Sequence, residues 1–168
     1  MIIDCISKAI FMFLIYNIVC LKLFGVPESL SQTYYLFKER TNALKVLFPA
    51  IIGLLVVFLL PCLFSISEDS AFQFMAFFSM LALLFVGACP AFLNSSFDNK
   101  LHTIAAYISA AYALLWIILV TPYWYIILIV AGIISVIAIL TKTLKKSYIY
   151  WLELIAFISI FTTIILSI

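Results

Sequence analysis

The sequence predicts an all-α fold: a polytopic membrane protein with a bundle of six transmembrane helices and one short interfacial helix. Composition is the first observation, since 68% of the 168 residues are hydrophobic and 10% are charged, against about 45–50% and about 25% in soluble domains. A soluble fold of this length could not bury so much apolar surface, so the solvent is lipid. The spacing of the apolar blocks and the placement of the basic residues are the other two observations.

Six apolar blocks are each long enough to cross the hydrocarbon core, which takes roughly 20 residues of helix. They span about residues 5–24, 46–66, 71–93, 101–121, 123–142 and 147–168. The only breaker in the apolar run 101–142 is Thr121-Pro122, but one helix over the whole run would measure roughly 60 Å, twice the core thickness. Proline ends helices, and the Tyr-Trp-Tyr run after it is typical of the membrane interface. We therefore expect a tight hairpin there, and a single transmembrane bundle over residues 1–168.

The basic residues follow the predicted crossings. Six spans place eight of the nine Lys and Arg residues on one face of the membrane: Lys22, Lys38, Arg40, Lys45, Lys100, Lys142, Lys145 and Lys146. Lys8 alone falls on the other face. Basic residues gather on the cytoplasmic side, so both termini are predicted to lie outside the cytoplasm. The net charge of +2 is too small to indicate nucleic-acid binding, and the lipid bilayer is the expected partner.

Cysteine and histidine usage predicts no metal centre and no cofactor. The four cysteines, Cys5, Cys20, Cys62 and Cys89, form no C-x-x-C pair, so we interpret them as small apolar packing residues. The single histidine excludes a site built from several. The first block has the acidic Asp4 near its start and no small-residue cleavage site, so we expect a retained span and not a removable signal peptide.

The polar run GVPESLSQTYYLFKER, residues 25–40, interrupts the apolar pattern between the first two blocks. Pro27 and Glu28 indicate a helix start, because proline suits the first helical position and an acid there favours the helix dipole. Apolar and aromatic residues then recur at helical spacing: Leu30, Tyr34 and Phe37. This pattern predicts an amphipathic helix over about residues 27–40, lying in the cytoplasmic interface. The alternative is that the segment folds back over the bundle and forms one wall of a polar pocket.

Glu153 is the most informative polar residue, because a charged side chain at the centre of a span costs about 2.5–3.5 kcal/mol. It lies about two turns into the last block and shares a helical face with Ala156, Ile160 and Thr163. That face is smaller and more polar than the rest of the helix, so Glu153 is predicted to point into the bundle. It is either a protonated group that makes one interhelical hydrogen bond or part of a functional site.

His102 opens the fourth block, and Ala106, Ala110 and Ala113 follow it on one face. Small residues mark close contact between helices, so His102 is also predicted to point inward. Asp98 lies one helical turn earlier, where its carboxylate would orient the imidazole as a proton acceptor or metal ligand. In the plainer interpretation, Asp98 is a helix N-cap or first-turn acid and His102 is an interfacial residue.

The polar candidates coincide in depth. Those in the cytoplasmic half of the predicted bundle, or at its rim, are Asn17, Glu28, Ser31, Asp98, His102 and Glu153. Asn17 needs a hydrogen-bond partner inside the first block, and most asparagines of this kind join helices. We hypothesise a polar vestibule that opens toward the cytoplasm, lined by the first, third, fourth and sixth spans and roofed by the segment around residues 27–40.

The sequence leaves three classes of function open. No G-x-S-x-G, H-E-x-x-H or Walker motif occurs. The acids and the histidine resemble those of the alkaline ceramidase superfamily of membrane hydrolases, but that family relies on several zinc-binding histidines. The classes are a protein that binds or transports a small solute or ion, a lipid-modifying, hydrolase-like enzyme that uses Asp98, His102 and Glu153 on lipid headgroups, and a non-catalytic subunit or homo-oligomeric scaffold. The first is favoured, since no specific nucleophile site is visible.

Three phrases, GVPESLSQTYY, LHTIAAYISAAYALLWIILV and YWLELIAFISIF, resemble small polytopic membrane proteins of Bacteroidetes and their phages. The resemblance covers nearly the whole chain. It implies no activity, and it implies a location in a bacterial inner (plasma) membrane.

Overall fold

Seven α-helices make up most of the computed structural model, which describes residues 1–168 apart from the side chain of Asn94. In chain order they are α1 (Ile2–Phe24), α2 (Thr33–Arg40), α3 (Leu47–Ile66), α4 (Gln73–Ala88), α5 (Ser96–Val120), α6 (Tyr125–Leu140) and α7 (Tyr148–Ser167). Short 3₁₀ turns at Leu44–Val46 and Phe92–Asn94 precede α3 and α5. The predicted all-α fold is confirmed.

Four helices are long and apolar enough to cross a membrane: α1, α3 with the turn before it, α5 and α7. α4 and α6 are apolar but have 16 residues each, about 24 Å of helix against a core of about 30 Å. Both are shorter than the predicted blocks 71–93 and 123–142. Pro90 follows the end of α4, and Pro122 precedes α6. Proline has no N–H group to donate to a helical hydrogen bond, which helps to keep both helices short. α6 ends just before Lys142, whose φ of 56° is left-handed.

Five of the helices form a ring. α3 packs against α1 and α4, α4 packs against α5, α5 packs against α7, and α7 returns to α1. Aromatic contacts join the last pair, since the ring of Phe13 on α1 lies 4.8 Å from that of Phe157 and 5.3 Å from that of Phe161, centroid to centroid. α6 packs against α7. This ring of five helices encloses the cavity that is described below.

Large apolar side chains cover the outer surface of the helices. Phe11, Val57, Leu128 and Leu152 are each more than half exposed, although all four lie within helices. Soluble monomers rarely expose contiguous apolar surface of this kind, whereas lipid tails solvate it. The surface therefore agrees with the length and composition of the four long helices.

Residues 26–32, here called the covering segment, do not form the first turns of a helix. α2 begins at Thr33, so the prediction of a helix over residues 27–40 is wrong for its first half. The covering segment instead folds against the ring, where Leu30 and Ser31 are buried. The Leu30 N–H bonds to Glu153 on α7, and the N–H groups of Glu28 and Gln32 bond to the side chains of Gln32 and Ser29. These N–H groups do not bond to carbonyls of the preceding turn, which is the physical reason that no helix forms there.

Candidate functional site

A cavity lies inside the ring, between α3, α4, α5 and α7, and the covering segment contributes to its wall. The volume open to the centres of water molecules is about 60 Å³. One water needs about 10–15 Å³ on this measure, so the cavity suits about four waters or a ligand of similar size. Its polar lining residues are Ser31, Ser79, Ser109 and Glu153, and the other lining residues are apolar. The cavity is therefore an apolar chamber that carries one carboxyl group.

Glu153 is the only charged side chain among the described residues of the cavity wall. It lies in the second turn of α7 and is half-buried. Its Oε2 accepts a hydrogen bond of 2.6 Å from the Leu30 N–H of the covering segment. Its Oε1 accepts no hydrogen bond from the groups that the structure describes. One oxygen is thus bound to the covering segment, and the other is available to a ligand.

The start of α7 holds the covering segment from one side. The Tyr150 N–H donates to the Glu28 carbonyl at 3.0 Å, and the Ser147 hydroxyl donates to the Val26 carbonyl at 3.4 Å. The first N–H groups of a helix have no partner within that helix, so the covering segment satisfies a donor that α7 would otherwise leave unpaired. These bonds and the Glu153 contact attach the segment to the start of α7.

Helix α1 holds the covering segment from the other side. The Thr33 hydroxyl donates to the Leu30 carbonyl, so the bond between the hydroxyls of Tyr16 and Thr33 has Tyr16 as its donor. All three residues are buried. The chain turns from α1 into the segment at Gly25, whose φ of 72° is left-handed and costs glycine little.

Asn17 joins α1 to α7 and does not line the cavity. Its side-chain N–H donates to the Phe13 carbonyl at 2.8 Å, and its side-chain oxygen accepts from the Tyr150 hydroxyl at 3.0 Å. Asn17 and Tyr150 are both buried. The expected hydrogen-bond partner is therefore a tyrosine of the last helix, and the contact holds two helices of the ring together.

His102 is buried, as the sequence predicts, but it does not reach the cavity wall. Its Nδ1 lies 3.0 Å from the Cys89 carbonyl oxygen, and because a carbonyl only accepts, Nδ1 carries the proton. The ring stacks on Phe92 with 4.4 Å between centroids. Carbonyls at the end of a helix lack partners within it, and Pro90 follows directly, so His102 serves as a cap for the end of α4.

Asp98 and His102 do not form the hypothesised pair, since no hydrogen bond joins them among the side chains that the structure describes. Ser95 is the N-cap of α5, and its hydroxyl accepts from the Asp98 N–H at 3.0 Å. Asp98 thus occupies the first turn of α5, as in the plainer interpretation. The side chain of Glu28 is exposed and lies outside the cavity wall.

The structure brings Ser31 and Glu153 together at the cavity and places the other four candidates elsewhere. It adds Ser79 and Ser109, which the sequence analysis did not identify. The Ser79 hydroxyl donates to the Ser109 carbonyl at 2.9 Å, which joins α4 to α5. A serine in an apolar helix usually bonds its own or a neighbouring backbone, so the sequence carried no signal that distinguished these two.

No protein-family model, curated protein sequence or solved structure matches the chain.

Proposed function

We propose that this chain is a multi-pass protein of a bacterial inner membrane that binds a small solute or ion in the cavity and carries it across, using Glu153 as the group that gains and loses charge. The observation that carries the proposal is the Glu153 carboxyl, the one charged side chain among the described residues of a mostly apolar cavity within the ring. An ionisable group inside a membrane span is costly to keep and marks a solute or proton path in many membrane proteins.

We propose that the covering segment is a wall of the site that moves with the charge on Glu153. Leu30 is bonded to Glu153 at 2.6 Å, and Leu30 and Ser31 both line the cavity. An ionised carboxylate accepts a stronger hydrogen bond than a neutral carboxyl does. The charge on Glu153 and the position of the covering segment are therefore coupled, which is what a carrier needs to open its site in step with proton or solute binding.

Six crossings with both termini outside the cytoplasm are part of the proposal. α4 packs between α3 and α5, and α6 packs against α7, so each short helix lies beside helices that are long enough to cross. A bilayer adapts to a short span by thinning, at fractions of a kcal/mol per Å. The concentration of basic residues on alternate connections supports the orientation.

The geometry does not favour the hydrolase-like alternative. That alternative needs Asp98, His102 and Glu153 at one centre, yet among them only Glu153 lines the cavity. A non-catalytic subunit or homo-oligomer is the conclusion if Glu153 proves to have no effect on transport.

Proton flux into proteoliposomes tests the proposal. Vesicles that hold a pH-sensitive dye receive a potassium diffusion potential, and the wild-type chain is expected to take up protons faster than protein-free vesicles. The Glu153→Gln change keeps the shape and an acceptor for Leu30 but removes the titrating group, so the rate should fall to that of protein-free vesicles.

Glu28→Gln is the matched control for this experiment, because the Glu28 side chain is exposed and lies outside the cavity wall. It should leave the proton flux unchanged. A Glu153→Gln protein that conducts like the wild type, or a wild-type flux equal to that of protein-free vesicles, would contradict the proposed function.

A further inference from the structure

We infer that the ligand of the cavity is a small organic cation, an ammonium group that carries a short apolar chain; the inference rests on the proposed function and names its substrate class. Charge is the first argument. Among the described residues, the lining of the cavity contains one carboxyl group and no basic side chain. A site walled by apolar side chains concentrates the field of its one charge, so an ionised Glu153 selects a cation over an anion.

The hydrogen-bonding groups suit an ammonium ion. Glu153 Oε1 is not bonded to any group that the structure describes, while Oε2 already holds the Leu30 N–H. An ammonium group has donors only, so it needs acceptors and offers none. The Ser79 hydroxyl donates its hydrogen bond to the Ser109 carbonyl, so the lone pairs of the Ser79 oxygen remain free to accept one. Carboxylate and serine oxygens are thus among the acceptors that line the chamber.

The apolar wall argues against a bare metal ion. Hard metal cations take six or more oxygen ligands or keep their water, whereas most of this lining is hydrocarbon. Phe48, Ile52, Leu83, Phe157 and Ile160 are among the lining residues. They suit an alkyl chain, which the hydrophobic effect drives from water into such a site. The volume of about 60 Å³ open to water centres limits the ligand to a few heavy atoms.

A closed covering segment follows from the same geometry. A bound cation keeps Glu153 ionised, and the ionised carboxylate holds the Leu30 N–H more strongly. Because Leu30 and Ser31 form part of the wall, the segment that Glu153 holds also confines the ligand. Ligand binding should therefore slow hydrogen exchange in residues 26–32.

Calorimetry with three probes of four carbon atoms each tests the ligand class. The full chain in phosphatidylcholine nanodiscs is titrated with n-butylammonium chloride, 1-butanol and sodium butyrate, with empty nanodiscs as the blank for partitioning. Only butylammonium should bind. Glu153→Gln should weaken its binding about 10- to 100-fold, the value of one hydrogen bond to a charged group, whereas Glu28→Gln should leave binding unchanged.

Hydrogen exchange measured by mass spectrometry on the same samples follows the covering segment. Butylammonium should slow exchange in residues 26–32 several-fold in the wild type and in Glu28→Gln, and have no effect on it in Glu153→Gln. The inference would be overturned if butanol or butyrate bound as butylammonium does. It would also be overturned if butylammonium left hydrogen exchange in residues 26–32 of the wild type unchanged. Loss of cation selectivity with the proton flux intact would overturn the ligand class alone. Cation binding without proton flux would overturn transport and leave the ligand class standing.

Discussion

The cavity inside the ring of helices exists partly because several of its lining residues are alanines with small side chains. Ala106 and Ala110 on α5 and Ala156 on α7 line the cavity and are half-buried. Protein interiors otherwise pack as densely as organic crystals, so a small side chain on each facing helix is a direct way to leave space. From the sequence we expected Ala106 and Ala110 to mark close helix contact. In the structure they border the cavity instead.

Ala110→Leu tests this role, because the added carbons would extend into the cavity without touching the charge on Glu153. We expect proton flux and butylammonium binding to fall at least about 10-fold, because the leucine side chain would fill the space in which the ligand makes its contacts. Ala111→Leu is the matched control: Ala111 is the next residue of α5, is exposed and lies outside the cavity wall. Equal flux in the two variants would show that the cavity is not on the transport path.

Close contact between α3 and α4 fixes the opposite wall of the cavity. A Cβ atom on Gly87 would lie 2.9 Å from Ile52 Cγ2 and 3.1 Å from Ile52 Cβ, which is closer than atoms normally approach. Ile52 in turn lines the cavity. The absence of a side chain at Gly87 therefore sets how near α4 lies to α3, and through Ile52 it shapes the site.

Gly87→Ala should destabilise the fold despite a better helix propensity. The propensity gain is about 1 kcal/mol, and overpacking costs about 1–3 kcal/mol, so we expect a net loss of up to about 2 kcal/mol and a lower midpoint of unfolding in detergent. Gly132→Ala on α6 is the control, because nothing lies within 4 Å of its added Cβ, and it should keep or raise the midpoint. Equal midpoints of unfolding for the two variants would show that α3 and α4 do not pack tightly at Gly87.

The sequence predicted those elements that are determined by residues next to one another in the chain. The break between α5 and α6 follows from Pro122 and the aromatic residues after it. The covering segment has no such signal, because the Leu30 N–H bonds to Glu153, which is 123 positions away. The inward direction of Glu153 was predictable from the cost of exposing a charge to lipid. The partner of His102 was not, because it is the backbone carbonyl of Cys89, and every residue has such a group.

At the scale of the whole molecule, the short helices decide how the ring sits in a membrane. α4 and α6 have 16 residues each. If neither crosses, the chain has four spans, α5 runs in the opposite direction, and the connection before it moves to the outer side. If both cross, α5 and α7 start from the same side as the covering segment, and the Glu153 end of the cavity faces the cytoplasm.

Single cysteines in a background without Cys5, Cys20, Cys62 and Cys89 distinguish these two arrangements. Asn42 and Asn99 are exposed and lie in the connection before α3 and in the first turn of α5. Six spans place Asn42→Cys and Asn99→Cys together on the cytoplasmic side, whereas four spans place them on opposite sides. A membrane-impermeant maleimide applied to intact spheroplasts should therefore label neither position, and it should label both after lysis.

Asp69→Cys is the positive control for this labelling, because Asp69 is exposed in the connection between α3 and α4 and is expected outside the cytoplasm in both arrangements. It should react in intact spheroplasts. Labelling of Asn99→Cys together with Asp69→Cys before lysis would reject the crossing of α4. That outcome would also contradict the structure, in which the Leu93 N–H of the connection before α5 donates to the Tyr35 hydroxyl of α2 at 2.7 Å. This bond places the connections before α3 and before α5 at the same end of the ring.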